Sequence, residues 1–221
     1  MDLMNNKNKV IALYFSILLS SCASGDIYSE LIKNIQILLS EPKDISSDKV
    51  ASIPYASMQA RLGRSQNTLL ILEEEKEGVL KWTSSNFVKV YTKNGLIVKA
   101  KGLDNELEII DLDKNHPIIK GFSEIDKKVF LSFYTFNNPK LFRLPVKTEI
   151  SFLKEEEIII LGTAYKVKLY EEISLKNLIS WEFKNLYWVD ESGYIVKSVQ
   201  NFTPKNPEIH TLITKKYKMP D

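Results

Sequence analysis

Apolar and polar residues alternate along most of the chain from Tyr55 onward. Ala56, Met58, Ala60 and Leu62 fall on one side while Tyr55, Ser57, Gln59 and Arg61 fall on the other, the period of two that marks a half-buried antiparallel strand. The same reading predicts strands over residues 68–73, 79–83, 87–92, 96–101, 129–136, 141–152, 158–161, 165–173, 186–190, 194–202 and 209–217. Lys93-Asn94-Gly95 and Glu191-Ser192-Gly193 separate two pairs of them, and glycine there supplies the positive φ that a tight hairpin needs. Ahead of the strands the period lengthens. Leu31, Ile32, Ile35, Leu38 and Leu39 recur at i, i+3 and i+4 after a capping Asp26 and stop at Pro42, which predicts an amphipathic helix. The fold class that follows is mainly β: an antiparallel barrel-like or sandwich domain with an N-terminal amphipathic helix.

Residues 104–126 break the alternation. They are polar, hold Asn115-His116-Pro117 at their centre and show little strand signal past Ile110, so they read as a long connection. The segments on either side, 53–103 and 127–217, resemble one another. At an offset of 98 residues, Leu70 to Glu74 falls on Lys168 to Glu172, Leu80 on Leu178, and Gly95 to Ala100 on Gly193 to Ser198, with Trp82 and Trp181 matching after a slip of one residue. A duplication would give two similar β halves. The hairpins at Gly95 and Gly193 would then be equivalent, with Trp82 and Trp188 both turned inward.

The N-terminus carries a different signal. Lys7 and Lys9 precede an apolar run from Val10 to Leu19, which matches a secretory leader and is too short to span ~30 Å of hydrocarbon as a helix. Leu19-Ser20-Ser21-Cys22 resembles the bacterial lipobox, so the chain's single cysteine stands where a diacylglyceryl group and palmitate would be attached. Residues 1–21 therefore read as a signal peptide and residues 22–221 as a lipid-anchored periplasmic β domain. Ala23, rather than Asp, follows Cys22, and under the sorting rule of enteric lipoproteins this points to the periplasmic face of the cell outer membrane.

Composition removes several alternatives. With 44% hydrophobic and 26% charged residues, the chain is neither a disordered polymer nor a polytopic helical membrane protein. The 30 Lys and Arg are offset by 28 Asp and Glu and spread evenly, without the basic footprint that nucleic-acid binding requires. Two histidines and one cysteine leave no His-rich or Cys-rich metal site, and no cofactor motif appears.

The stretch Ile53 to Gly63 with its Pro-Tyr-Ala-Ser block, followed by Leu70 to Glu74, Leu80-Lys81-Trp82, the Tyr-Trp-Val-Asp block at Tyr187 to Asp190, Gly193 and Lys197-Ser198-Val199-Gln200, resembles the group 4 capsule polysaccharide lipoprotein family of the GfcB/YjbF type. Two departures stand out: Gly102-Leu103-Asp104 where the family has Gly-Leu-Pro, and Val196-Lys197 where it often has Trp-Arg. The resemblance implies a lipid-anchored, barrel-like periplasmic domain that works beside polysaccharide export proteins. It also implies a contact role in capsule or exopolysaccharide secretion, without enzymatic activity.

Tyr187 and Trp188 offer flat faces for sugar rings, and Asp190, Lys197 and Gln200 complete a candidate set of glycan or partner contacts. Each has a plainer role: strand aromatics are mostly core, and Asp190 opens a turn where Asp bonds locally. Glu73-Glu74-Glu75 and Glu155-Glu156-Glu157 supply carboxylates, which a glycosidase would need about 5 to 10 Å apart across the scissile bond. Beside lysines at strand ends, they read as solvated hairpin tips. His116 and His210 lack evident partners and read as surface residues, and no catalytic residue is assigned. The tail Lys215-Lys216-Tyr217-Lys218 could meet anionic polysaccharide or lipid phosphate. Two rival readings remain at this point, a periplasmic lipid or lipoprotein carrier with an apolar barrel cavity and a polysaccharide-modifying hydrolase. A roomy apolar interior would favour the carrier, and a filled one the contact module.

Overall fold

The computed structural model describes residues 42–122, 127–175 and 178–217; the leader, Cys22 and the amphipathic helix expected after Asp26 lie outside them. The described residues form a short helix α1 (Ser47–Ala51), then β1 (Ser57–Leu62), β2 (Thr68–Lys76), β3 (Val79–Ser84), β4 (Lys89–Lys93), β5 (Leu96–Lys101) and β6 (Leu107–Asp111). Helix α2 (Pro117–Lys120) follows, then β7 (Lys127–Phe136), β8 (Leu141–Ile160), β9 (Thr163–Ser174), β10 (Lys184–Asp190), β11 (Ile195–Gln200) and β12 (Ile209–Lys215). Each strand pairs antiparallel with its neighbours in sequence, and β12 returns to β1, so the sheet closes into a barrel. Closure removes the free edges that an open sheet must protect. The barrel-like reading of the alternation is the one that holds.

Alternation sorts the strand residues into two sets. One faces the lumen: Met58 and Ala60 of β1, Trp82 of β3, Val90 of β4, Leu107 and Ile110 of β6, Tyr134 and Phe136 of β7 and Val146 of β8 form one continuous cluster with Trp181 and Phe183. A second lumenal cluster joins Leu96, Phe130, Ile150, Tyr170, Tyr187, Val189 and Ile195 with Ile118 and Phe122. Trp82, Tyr187, Phe136, Met58, Ile97 and Leu107 are among the largest side chains below 2% exposure. The lumen at these positions is packed with side chains.

Three sequence expectations need correction. The segment 104–126 is not a bare connection, because β6 lies within it. A register shift between Leu107 and Ile109 puts both Leu107 and Ile110 inward three residues apart, a spacing that does not read as alternation. The two strands expected at 141–152 and 158–161 are one, since a bulge at Phe152/Lys154 shifts the phase and makes a continuous strand look broken. Trp188 faces outward, not inward. It pairs with Leu169 and Lys197 on the face opposite Tyr187 and Val189, and packs with Ile160, Val167 and Val196 in an outer cluster.

The two segments that match at an offset of 98 run into the same ring. There, β5 and β2 are three steps apart, whereas β11 and β9 are two. Where the first segment has β3 with Trp82, the second has residues 178–183, which are not a strand and carry Trp181 into the lumenal core.

Candidate functional site at the barrel mouth

Because successive strands alternate in direction, the β2–β3, β4–β5, β6–β7, β8–β9 and β10–β11 connections gather at one end of the barrel. Residues 112–122, the described part of the β6–β7 connection, plug this end. His116 caps α2, its Nδ1 accepting from the Ile118 N–H at 3.3 Å, and Pro117 stands in the first turn, where its missing N–H is not needed. Asn94 at the β4–β5 tip donates to the Ile118 carbonyl at 2.8 Å, and the Tyr170 hydroxyl donates to the Phe122 carbonyl at 2.9 Å. The Phe122 and Tyr170 rings lie 4.8 Å apart. The plug is therefore tied to the β4–β5 tip and to β9.

Beneath the plug sits a buried carboxylate. Glu172 of β9 accepts from the Tyr187 hydroxyl at 2.5 Å and from the Asn185 amide at 2.9 Å, and its other oxygen lies 3.7 Å from His116 Nε2. Both Glu172 and His116 are within 3% of complete burial. Burial by itself favours the neutral acid, but the imidazole, phenol and amide donors outweigh it and hold the Glu172 carboxyl below the ordinary range. Burial, with the Glu172 charge beside it, pushes the Tyr187 hydroxyl well above its ordinary value, and Tyr134 moves the same way for the same reasons. The sequence reading placed His116 at the surface; the structure places it in the core, because its connection folds into the barrel end instead of spanning the outside.

Above the plug the end opens into a cavity of about 810 Å³. Its floor is Phe122, Tyr170 and Val189, and one wall is the β10–β11 turn from Asp190 to Gly193. The other wall is the distal part of the β8–β9 hairpin. Strand β10 ends at Asp190 opposite Val167, so the hairpin beyond that point continues as an arm. The two faces of the arm differ. Glu156 and Val167 share the outer face with Trp188, whose Nε1 donates to Glu156 at 2.5 Å. Glu155, Glu157, Lys166 and Lys168 are on the other face and line the cavity, whose edge Glu156 and Val167 also reach. The bulge at Leu153 sets this phase. Of the glutamates expected at hairpin tips, Glu155, Glu156 and Glu157 thus sit within β8 and Glu73, Glu74 and Glu75 in the distal part of β2, and register places Glu155 opposite Lys168 and Glu157 opposite Lys166.

The five candidate contact residues do not converge. Tyr187 and Gln200 are buried in the lumen; Gln200 bonds the Ile97 N–H at 2.9 Å and the Gly95 carbonyl at 3.1 Å, joining β11 to β5. Trp188 and Lys197 are on the outer face, with the Lys197 ammonium 4.5 Å from the indole centroid. Only Asp190 lines the mouth. Its carboxylate accepts from the Ser192 and Tyr194 N–H groups at 3.0 and 3.1 Å, which is the local turn role, and from Lys216. Of the basic tail, Lys216 is thereby engaged, and Lys215 donates to the Ile53 carbonyl at 2.8 Å. His210 lies between Arg61, 3.1 Å from its Nδ1, and Glu208, 3.3 Å from its Nε2. Among the described residues, no group of three or more His, Cys, Asp or Glu side chains is arranged to hold a metal ion.

Comparison with known proteins places this architecture. The chain is 21% identical over 195 residues to the uncharacterized lipoprotein GfcB of Escherichia coli K12, an alignment covering 86% of this chain and 90% of that protein. It is 23% identical over 158 residues to the uncharacterized lipoprotein YjbF of the same organism, covering 71% and 73%. The crystal structure of the hypothetical lipoprotein YmcC from Escherichia coli matches with a TM-score of 0.69 at 20% identity, over 79% of this chain and 91% of that one. At that identity the likeness speaks for the fold. The family model described as group 4 capsule polysaccharide lipoprotein GfcB, YjbF matches residues 27–213, and the chain therefore belongs to this family of capsule polysaccharide lipoproteins.

Proposed function

We propose that this protein is a lipid-anchored, non-catalytic accessory factor in the secretion or assembly of a capsule or exopolysaccharide, held by Cys22 at the periplasmic face of the outer membrane. The observation that carries this reading is family membership across residues 27–213. The packing supports a contact module over a carrier. Trp82, Tyr187, Phe136 and their neighbours fill the lumen where a carrier would keep apolar space. The chemistry supports contact over hydrolysis. The buried Glu172 lies under the plug, and the arm carboxylates Glu155 and Glu157 are matched by lysines across the hairpin. The partners are polysaccharide export proteins, the polysaccharide, or both.

A clean deletion, complemented in turn with the wild type and Cys22→Ser, tests this. Deletion is expected to lower surface and secreted polysaccharide. Wild type restores it, while Cys22→Ser is released from membranes and does not. The purified protein is expected to leave the polysaccharide intact. Normal output in the deletion strain, or turnover abolished by substituting a carboxylate pair, would overturn the proposal.

A further inference from the structure

The mouth cavity has a chemistry that selects among ligands. Its arm wall carries carboxylates and ammonium groups in register, Glu155 opposite Lys168 and Glu157 opposite Lys166, with Lys168 Nζ 3.8 Å from Glu155 Oε1. Glu156 also lines the cavity but is paired with Lys154 and Trp188, so this wall offers both donors and acceptors with carboxylates in excess of lysines. On the opposite wall the Asp190 carboxylate is taken up by Ser192, Tyr194 and Lys216, while Glu191 is exposed. The floor of Phe122, Tyr170 and Val189 is apolar but only 3–5% exposed.

Three ligand classes respond differently to such a site. An acyl chain would cover the floor but strip water from the arm's charged groups without replacing their hydrogen bonds, which is costly. A polyanion would face Glu155, Glu157 and Glu191 with only two lysines among them, and like charges oppose its approach. An uncharged saccharide meets both surfaces. Its hydroxyls donate to carboxylates and accept from ammonium groups, and its C–H faces need meet only the small apolar area that the floor exposes. The volume of about 810 Å³ falls within the range of pockets that bury a small organic ligand.

We propose that the mouth between the β8–β9 arm and the β10–β11 turn is a saccharide-binding site that accepts uncharged sugar units and discriminates against uronate-bearing ones. This rests on the reading of the protein as a polysaccharide accessory factor and names the part of the glycan it contacts.

The test uses the full lipidated chain in detergent micelles, with maltohexaose as the neutral probe and a galacturonate hexamer as the anionic one. Binding is read by saturation-transfer difference NMR and calorimetry. Maltohexaose is expected to bind at least tenfold more tightly than the uronate. Two exposed-rim variants locate the site. Ser192→Trp fills the cavity from the turn side and is expected to weaken maltohexaose at least tenfold. Glu155→Lys with Glu157→Lys makes the arm wall cationic and is expected to reverse the preference. An unchanged Tm in both variants shows that the fold is intact; should either fail to fold, Glu191→Lys, on the exposed turn, is read in its place and is expected to narrow the preference. Absence of binding, equal affinity for the two probes, or binding unaffected by the variants would each overturn the proposal. If deletion still lowers polysaccharide output in that event, only this site assignment falls. If deletion leaves output unchanged while maltohexaose binds as described, the functional reading falls and the site stands.

Discussion

The β4–β5 and β10–β11 hairpins share the sequence Gly-x-Ile-Val-Lys after their turns but differ in what surrounds them. Gly95 has φ +89°, and a Cβ added there would come within 2.5 Å of the Ile195 side chain and 2.6 Å of the Ile195 carbonyl oxygen. Gly193 has a similar φ of +80°, and a Cβ added there would meet nothing within 4 Å. The first tip is buried against the second hairpin, where the Ile195 N–H donates to the Asn94 carbonyl at 3.2 Å. The second tip stands at the rim of the mouth. Both glycines answer the same local demand for a left-handed residue; only one also answers a tertiary demand for close approach. Local sequence thus specifies a hairpin without specifying whether its tip becomes core or binding rim.

The comparison breaks most sharply at Gly95. In Gly95→Ala the left-handed backbone costs about 1–2 kcal/mol, and the overlap with Ile195, part of it backbone, adds the penalty of overpacking, about 1–3 kcal/mol. A loss of ~4 kcal/mol is expected in urea unfolding. The variant should also loosen the plug, because Asn94 next to it holds the Ile118 carbonyl. Hydrogen exchange of the Ile118 and Ile119 amides is expected to accelerate beyond what the global loss accounts for. A cost near 1 kcal/mol would mean that the approach of the two hairpins is not as close as described.

The plug's second tie gives the next effect. Glu172 ionises below the ordinary carboxylate range in the folded protein because of donors from His116, Tyr187 and Asn185. A group whose folded pKa is lowered contributes stability that is present above its unfolded pKa and is lost as pH falls through the folded value. Stability should therefore decline on acidification below the normal carboxylate range, with Glu172 contributing to that limb. Glu172→Gln removes the charge while keeping the shape, and losing charge-assisted hydrogen bonds from Tyr187 and Asn185 costs about 1.5–3 kcal/mol, a Tm drop of roughly 3–12 °C near neutral pH. The gap between wild type and variant should narrow toward acid pH. A pH-independent gap would assign the loss to packing and not to ionisation.

The fold was legible where alternation runs unbroken. β1 and β3 carry period two through Met58 and Ala60 and through Leu80 and Trp82, and their bounds came within a residue or two; those of β5 did as well, although Ile97 and Ala100 both enter the core three residues apart. It was hidden where bulges shift the phase: Leu153 made one long strand look like two, and the shift in β6 concealed that strand altogether. The mouth was less legible. Asp190, the one of the five candidate contacts that lines it, was read from turn chemistry, which its hydrogen bonds to Ser192 and Tyr194 match, while Glu155, Glu156 and Glu157 were read as a solvated hairpin tip. Glu172 and His116 meet only because β9 and the β6–β7 connection are brought together at the barrel end, and no spacing along the chain announces it. Tyr187 and Trp188 show the limit most simply: adjacent aromatics in one block, one in the lumen and one beneath the outer arm.

The smallest expected effect is at Gly193, and it sharpens the comparison from the other side. Gly193→Ala meets no neighbouring atom, so only the left-handed backbone matters, at ~1 kcal/mol. Gly193→Asn should cost less, since Asn tolerates positive φ better than Ala does. The Asp190 carboxylate, which already accepts from the N–H groups of Ser192 and Tyr194, keeps both bonds in either variant and holds the turn in shape. Urea unfolding of the Ala and Asn variants beside Gly95→Ala separates backbone strain from packing: the two rim variants should differ from each other by a few tenths of a kcal/mol and from Gly95→Ala by several times that. Equal losses at Gly95 and Gly193 would show that the two tips are packed alike, and the distinction between a buried tip and a rim tip would be lost.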